Sequence, residues 1–140
     1  MVIALDDSEY SEIVLEHALD LAVRHDMTDL HFVRVVPHEA DVEIAGRKLA
    51  TQLLEGFETI RESPGDRRAR LHVRVGNAVD EIVRFAADLQ ADVLVVGRFG
   101  AHKRHRSFAS AIVDAAPCPT HRAARRARLH IGRCRHRAGR

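Results

Sequence analysis

Gly97 and Gly100 follow the apolar run Val93–Val96 and lead into Ala101-His102-Lys103-Arg104-His105-Arg106-Ser107. Glycines at the end of a strand let the backbone approach a ligand closely, and a serine opening a helix sits among amides that have no intrahelical acceptor. Lys103, Arg104 and Arg106 add cationic side chains of the kind that pair with phosphate oxygens. The chemistry this spacing suits is the cradling of an anion. The segment is neither a GxxxxGK[ST] loop nor a GxGxxG turn. Ordinary turn glycines and a solvated basic loop account for the same residues, so the spacing by itself leaves both readings open.

The other residues with chemical potential point less far. Asp6 and Asp7 are adjacent carboxylates at the end of an extended run, so their side chains face opposite ways. That suits ligand contact and helix capping better than a paired general acid and base. Ser8 and Ser107 lack the GxSxG setting of a strained nucleophile. Ten histidines and two cysteines raise the question of zinc, since Cys118-x2-His121 and Cys134-x-His136 supply its usual ligand types. The spacing fits no standard finger and the surrounding arginines repel a divalent cation, so no metal site is assigned. Cys118, between two prolines, reads as a buried thiol.

The elements that must position these residues follow from periodicity. A chain of 140 residues is one domain in size, and with 4% aromatics its core must be aliphatic. It contains no apolar run long enough to span a membrane and no basic-then-apolar leader, so the expectation is a cytoplasmic protein. Met1–Leu5, Leu30–Val36 and Val93–Gly97 are short apolar runs suited to strands buried on both faces, and Ala69–Val75 alternates as a strand does. Between them lie helical patterns. The first is capped by Asp7 or Ser8 and runs to Arg24, and the second covers Val42 to Ile60. The third is capped by Asn77 and the fourth by Ser107. The β-α-β-α-β-α-β-α order predicts an α/β, doubly wound, Rossmann-like open parallel sheet with helices on both faces. In such sheets ligands sit beyond the carboxyl ends of the strands where the strand order reverses.

The segments VIALDDSEYSE (2–12), RVVP (34–37), VGNAVDEIVRFA (75–86), ADVLVVGRFG (91–100) and SFASAIVDAAPCP (107–119) resemble the universal stress protein family in order and in near spacing. The resemblance implies the same fold and, in the nucleotide-binding branch, a G-x2-G-x9-G-[ST] motif. It places Asp6 near a ribose or adenine, Val35 at the adenine by its backbone, and Gly97 and Gly100 under the phosphates. Ser107 would stand at the phosphate-facing helix start, beside Arg106. This chain departs from the motif: five residues, not nine, separate Gly100 from Arg106, which stands where glycine is expected. Extended, nine residues reach roughly 30 Å and five about 17 Å, so any cradle here is tighter. The implied function is a stress-response module that binds ATP or ADP, with Mg only as the nucleotide brings it. It would have no catalytic residues and at most slow hydrolysis. The alternatives are a nucleotide-free homodimer acting through protein–protein contacts and a protein that associates with nucleic acid.

That last alternative rests on the end of the sequence. The formal net charge of +2 conceals a division: residues 121–140 hold eight arginines and no acid, while residues 1–120 carry a net −6. A basic stretch of this kind binds polyanions by counterion release. It also lacks the apolar area that offsets ordering entropy. The family's customary last apolar strand is expected to be missing or replaced, which would weaken dimer pairing. Residues 1–120 then form the domain and 121–140 an Arg-rich tail. An out-of-frame reading of a GC-rich gene past codon 120 would generate such text, and sequencing across that codon tests it.

Overall fold

The computed structural model describes residues 1–8, 10–58, 67–97 and 106–123. Five strands, β1 (Val2–Ala4), β2 (Asp29–Val36), β3 (Arg68–Val75), β4 (Leu94–Gly97) and β5 (Thr120–Ala123), form one sheet in the order β3-β2-β1-β4-β5. All of the pairings are parallel. The connecting helices are α1 (Ser11–Arg24), α2 (Val42–Glu58), α3 (Ala78–Asp88) and α4 (Arg106–Ala115). A 3-10 turn at Glu39–Asp41 precedes α2. No helix among the described residues is long and apolar enough to cross a membrane.

The alternation of side chains along each strand divides the core in two. Ile3, Leu5, Leu30, Phe32 and Val95 pack with Val14, Leu15 and Ala18 of α1 and with Leu49 and Leu53 of α2. Val2, Val33, Leu94 and Val96 point the other way, onto Ile82, Phe85 and Ala86 of α3 and Ala109 and Ile112 of α4. Strands buried on both faces must be apolar throughout, which is why β1 and β4 read as unbroken aliphatic runs.

Two expectations need correction. The fifth strand is present: Thr120–Ala123 pairs with Leu94–Gly97, and the Leu94 amide donates to the Pro119 carbonyl at 2.9 Å. An edge strand needs a neighbour's backbone groups on one side only, so it can form without the two-faced apolar run that marks a central one. Helix α1 also starts later than expected. It opens at Ser11 with Tyr10 in the N-cap position and no side-chain cap there, because Asp6 and Ser8 are engaged in a turn of their own.

Asn77 caps α3 as anticipated, its Oδ1 accepting from the amides of Val79 at 3.0 Å and Asp80 at 3.2 Å. Asn77→Ala should cost about 1 kcal/mol, read as a lower denaturation midpoint at unchanged slope. The preceding Gly76 has φ +143°, a conformation that L side chains rarely adopt, and a Cβ there would lie 3.1 Å from Glu81 Cγ.

Between β2 and β3, His31 Nδ1 and His72 Nε2 lie 3.1 Å apart, with both rings against Phe85. Burial pushes His31 below the ordinary histidine value, with His72, the N-terminal ammonium and Arg70 adding to it and Asp29 opposing. Burial does the same to His72, reinforced by Arg70 and Arg74. A group whose folded pKa is depressed in this way takes up protons more readily when unfolded. The stability from the neutral pair is therefore full above the ordinary value of 6.5 and is lost as pH falls through the lowered folded values. Thermal midpoints should decline from pH 7.5 to pH 5, and His72→Gln should flatten that decline.

Candidate functional site

In the order β3-β2-β1-β4-β5 the chain leaves β1 toward β2 and β3, then crosses to β4 on the other side, so the strand order reverses between β1 and β4. The carboxyl end of β1 is therefore where a ligand is expected.

Backbone directions define that position further. In β2 the His31 amide donates to Met1 O and the Val33 carbonyl accepts from Leu5 N, so the odd-numbered residues turn their peptide groups toward β1. The ladder between the two strands runs only to Val33. Val35, two residues on, turns its N–H and carbonyl to the same side, beyond the end of β1. In β4 the Val93 carbonyl accepts from Val2 N, so by the same alternation the Gly97 carbonyl also faces β1. Two strands thus direct peptide groups from either side into the notch above a strand that has turned away.

Asp6 stands at the rim of this notch, level with Val35 when the β1–β2 register is continued. Its Oδ1 accepts from the Ser8 amide at 3.0 Å, the Ser8 hydroxyl, and Ser11 Oγ at 2.8 Å. Its own amide donates to Ser11 Oγ at 3.1 Å, and its carbonyl lies 2.6 Å from the same hydroxyl. The carbonyl also accepts from Arg34 Nη2 at 3.0 Å. The Asp7 carboxylate has its Oδ1 2.7 Å from Arg34 Nη1 and its Oδ2 3.6 Å from Lys48 Nζ. The two carboxylates have different partners, although Asp7 lies in a bend and not in extended chain.

The structure thus brings Asp6, Val35 and Gly97 to one end of the sheet. Arg106 is the first residue of α4, so Ser107 lies within the first turn and is not its cap, a correction of two residues. The first-turn amides of a helix have no intrahelical acceptor. Gly100 and the basic residues Lys103 and Arg104 lie outside the described residues. Among the described residues no three His, Cys, Asp or Glu side chains are grouped to hold a metal ion, and Cys134 and His136 lie outside them. Ser11, 1% exposed, and Arg34, 4% exposed, are the site's two unanticipated members. A serine five residues after an aspartate and a lone arginine in an apolar strand were the only signals for them.

The family model for universal stress proteins matches residues 1–122. A search of curated proteins finds no match. Among solved structures, a universal stress protein from Archaeoglobus fulgidus in complex with dAMP is 25% identical, with a TM-score of 0.62 over 88% of this chain and 95% of that one. One from Lactobacillus plantarum is 20% identical, with a TM-score of 0.63 over 88% and 96%. A universal stress protein family protein from Arabidopsis thaliana with AMP bound is 18% identical, with a TM-score of 0.58 over 90% and 92%. With its reversal point between β1 and β4 and a family match over nearly all of the described fold, the chain belongs to the universal stress protein family.

Proposed function

We propose that this protein binds an adenine nucleotide, ATP or ADP, in the notch at the carboxyl ends of β1, β2 and β4, and acts as a regulatory module. The observation that carries this reading is the pair of backbone edges, Val35 and Gly97, turned into the space that β1 vacates. A planar base is read by a strand's N–H and carbonyl, and a glycine lets the rest of the ligand come close to the backbone. Asp6 at the rim is a charged acceptor for ribose hydroxyls. Arg106 and Ser107 stand at a helix start, where an anion is favoured by the unpaired amides and the helix dipole. The dAMP and AMP complexes among structures of the same fold support the same ligand class. Mass spectrometry of gently purified protein tests the proposal: carried-through adenine nucleotide in near-stoichiometric amount is the expected finding, and its absence together with failed loading by ADP would refute it.

A second reading, a homodimer acting through protein contacts, is favoured by β5. Thr120–Ala123 is the last strand in the sheet order among the described residues, the position at which a second copy would pair. Nucleotide-free dimers in solution would favour it over the first.

A further inference from the structure

Arg34 occupies the third position from the end of β2, on the face shared with Phe32, and is 4% exposed. Burying a guanidinium costs several kcal/mol unless partners compensate, so its neighbours indicate what the charge accomplishes. Nη2 donates to the Asp6 carbonyl and to Gln52 Oε1, both at 3.0 Å. Nη1 lies 2.7 Å from the Asp7 carboxylate but is misaligned for a hydrogen bond, so that pairing is Coulombic. One side chain from the neighbouring strand therefore holds both residues by which β1 leaves the sheet.

The consequence lies in the backbone. Had β1 continued, the Asp6 peptide groups would face β4 and pair with Gly97, and the strand itself would occupy the space between Val35 and Gly97. Instead the Asp6 amide donates to Ser11 Oγ, and its carbonyl accepts from Arg34. The strand lengths agree, with β1 only 3 residues long against 8 in β2. We propose that Arg34 is a positioning residue for the nucleotide site: it draws the Asp6 carbonyl out of the sheet, keeps the notch open beside Val35, and fixes Asp6 at its rim. The inference rests on the nucleotide reading above.

The test uses the full chain, with ADP titrated into wild type, Arg34→Met and Arg34→Lys, and amide hydrogen exchange followed at Ser8, Ser11 and Leu89. Arg34→Met removes one partner only, but Asp7, 56% exposed, stays solvated without it, so the variant should fold with a modestly lower thermal midpoint. It should bind ADP about tenfold more weakly and exchange its Ser8 and Ser11 amides about tenfold faster, with Leu89 in the α3 terminus unchanged. Arg34→Lys keeps the charge without the fork and should fall between the two. Unchanged ADP affinity in a folded Arg34→Met, or faster exchange at Leu89 to the same degree, overturns the positioning role while leaving the nucleotide site standing. A wild type that binds no ADP overturns the nucleotide reading itself. If Arg34→Met does not fold, wild-type affinity and exchange in Arg34→Lys overturn the role.

Discussion

Phe32→Ala should destabilise the fold by about 3–5 kcal/mol, a large share of the roughly 5–15 kcal/mol that holds a domain together. Phe32 is 0% exposed, in the core between the sheet and helices α1 and α2. Its ring meets Phe57 edge-on, with centroids 5.9 Å apart and planes at 79°. Alanine removes the ring from between two rigid layers, β2 and α2, that cannot close over the gap, so a cavity adds to the lost transfer energy. Urea denaturation should show a much lower midpoint at unchanged slope. Leu54→Ala is the control: that side chain, 71% exposed on α2, should change stability by no more than about 0.5 kcal/mol. Equal losses in the two variants would contradict the assigned core.

Asp6→Asn should separate ligand binding from folding. The amide oxygen of asparagine can still accept from the Ser8 amide and from Ser11 Oγ, so the turn that launches α1 is retained. The charge is lost. Hydrogen bonds to a charged acceptor contribute about 1.5–3 kcal/mol, so nucleotide affinity should drop about 10- to 100-fold while stability changes by less than about 1 kcal/mol. Asp6→Ala is a poorer probe because it also removes the turn's acceptor. Calorimetric titration and thermal melts on the same samples distinguish the two effects, and wild-type affinity in Asp6→Asn would remove that residue from the site.

What was legible in the sequence follows from how local each feature is. The unbroken runs at β1 and β4 and the alternation in β3 reflect burial on two faces or one, a property that each segment carries by itself. Asn77 announces α3 because capping is a contact within three residues. Val35 and Gly97 were reachable because strand ends in a doubly wound sheet collect at one edge whatever their side chains. Arg34 was not reachable in the same way. In LHFVRVV a single arginine reads as one point on a strand, and its burial arises only when the exit of β1 and Gln52 of α2, distant in sequence, are laid over it. Helix α1 starts later than Asp7 or Ser8 would suggest because these cap-forming residues are engaged elsewhere, Asp7 with Arg34 and Ser8 with Asp6. Strand β5 was missed because an outer strand is specified by its neighbour's backbone more than by its own side chains. The −6 and +8 division of charge still marks a change in the chain, yet the sheet continues through Ala123, past the point where the apolar text stops.

The proposed nucleotide site is the notch between Val35 and Gly97. Isothermal titration of the full chain with ADP, using GDP and inorganic phosphate as competitors, tests it most directly. One ADP per chain is expected, displaced by neither competitor, with affinity reduced in Asp6→Asn. Absence of heat and of competition with ADP, or binding that phosphate alone displaces, would contradict it.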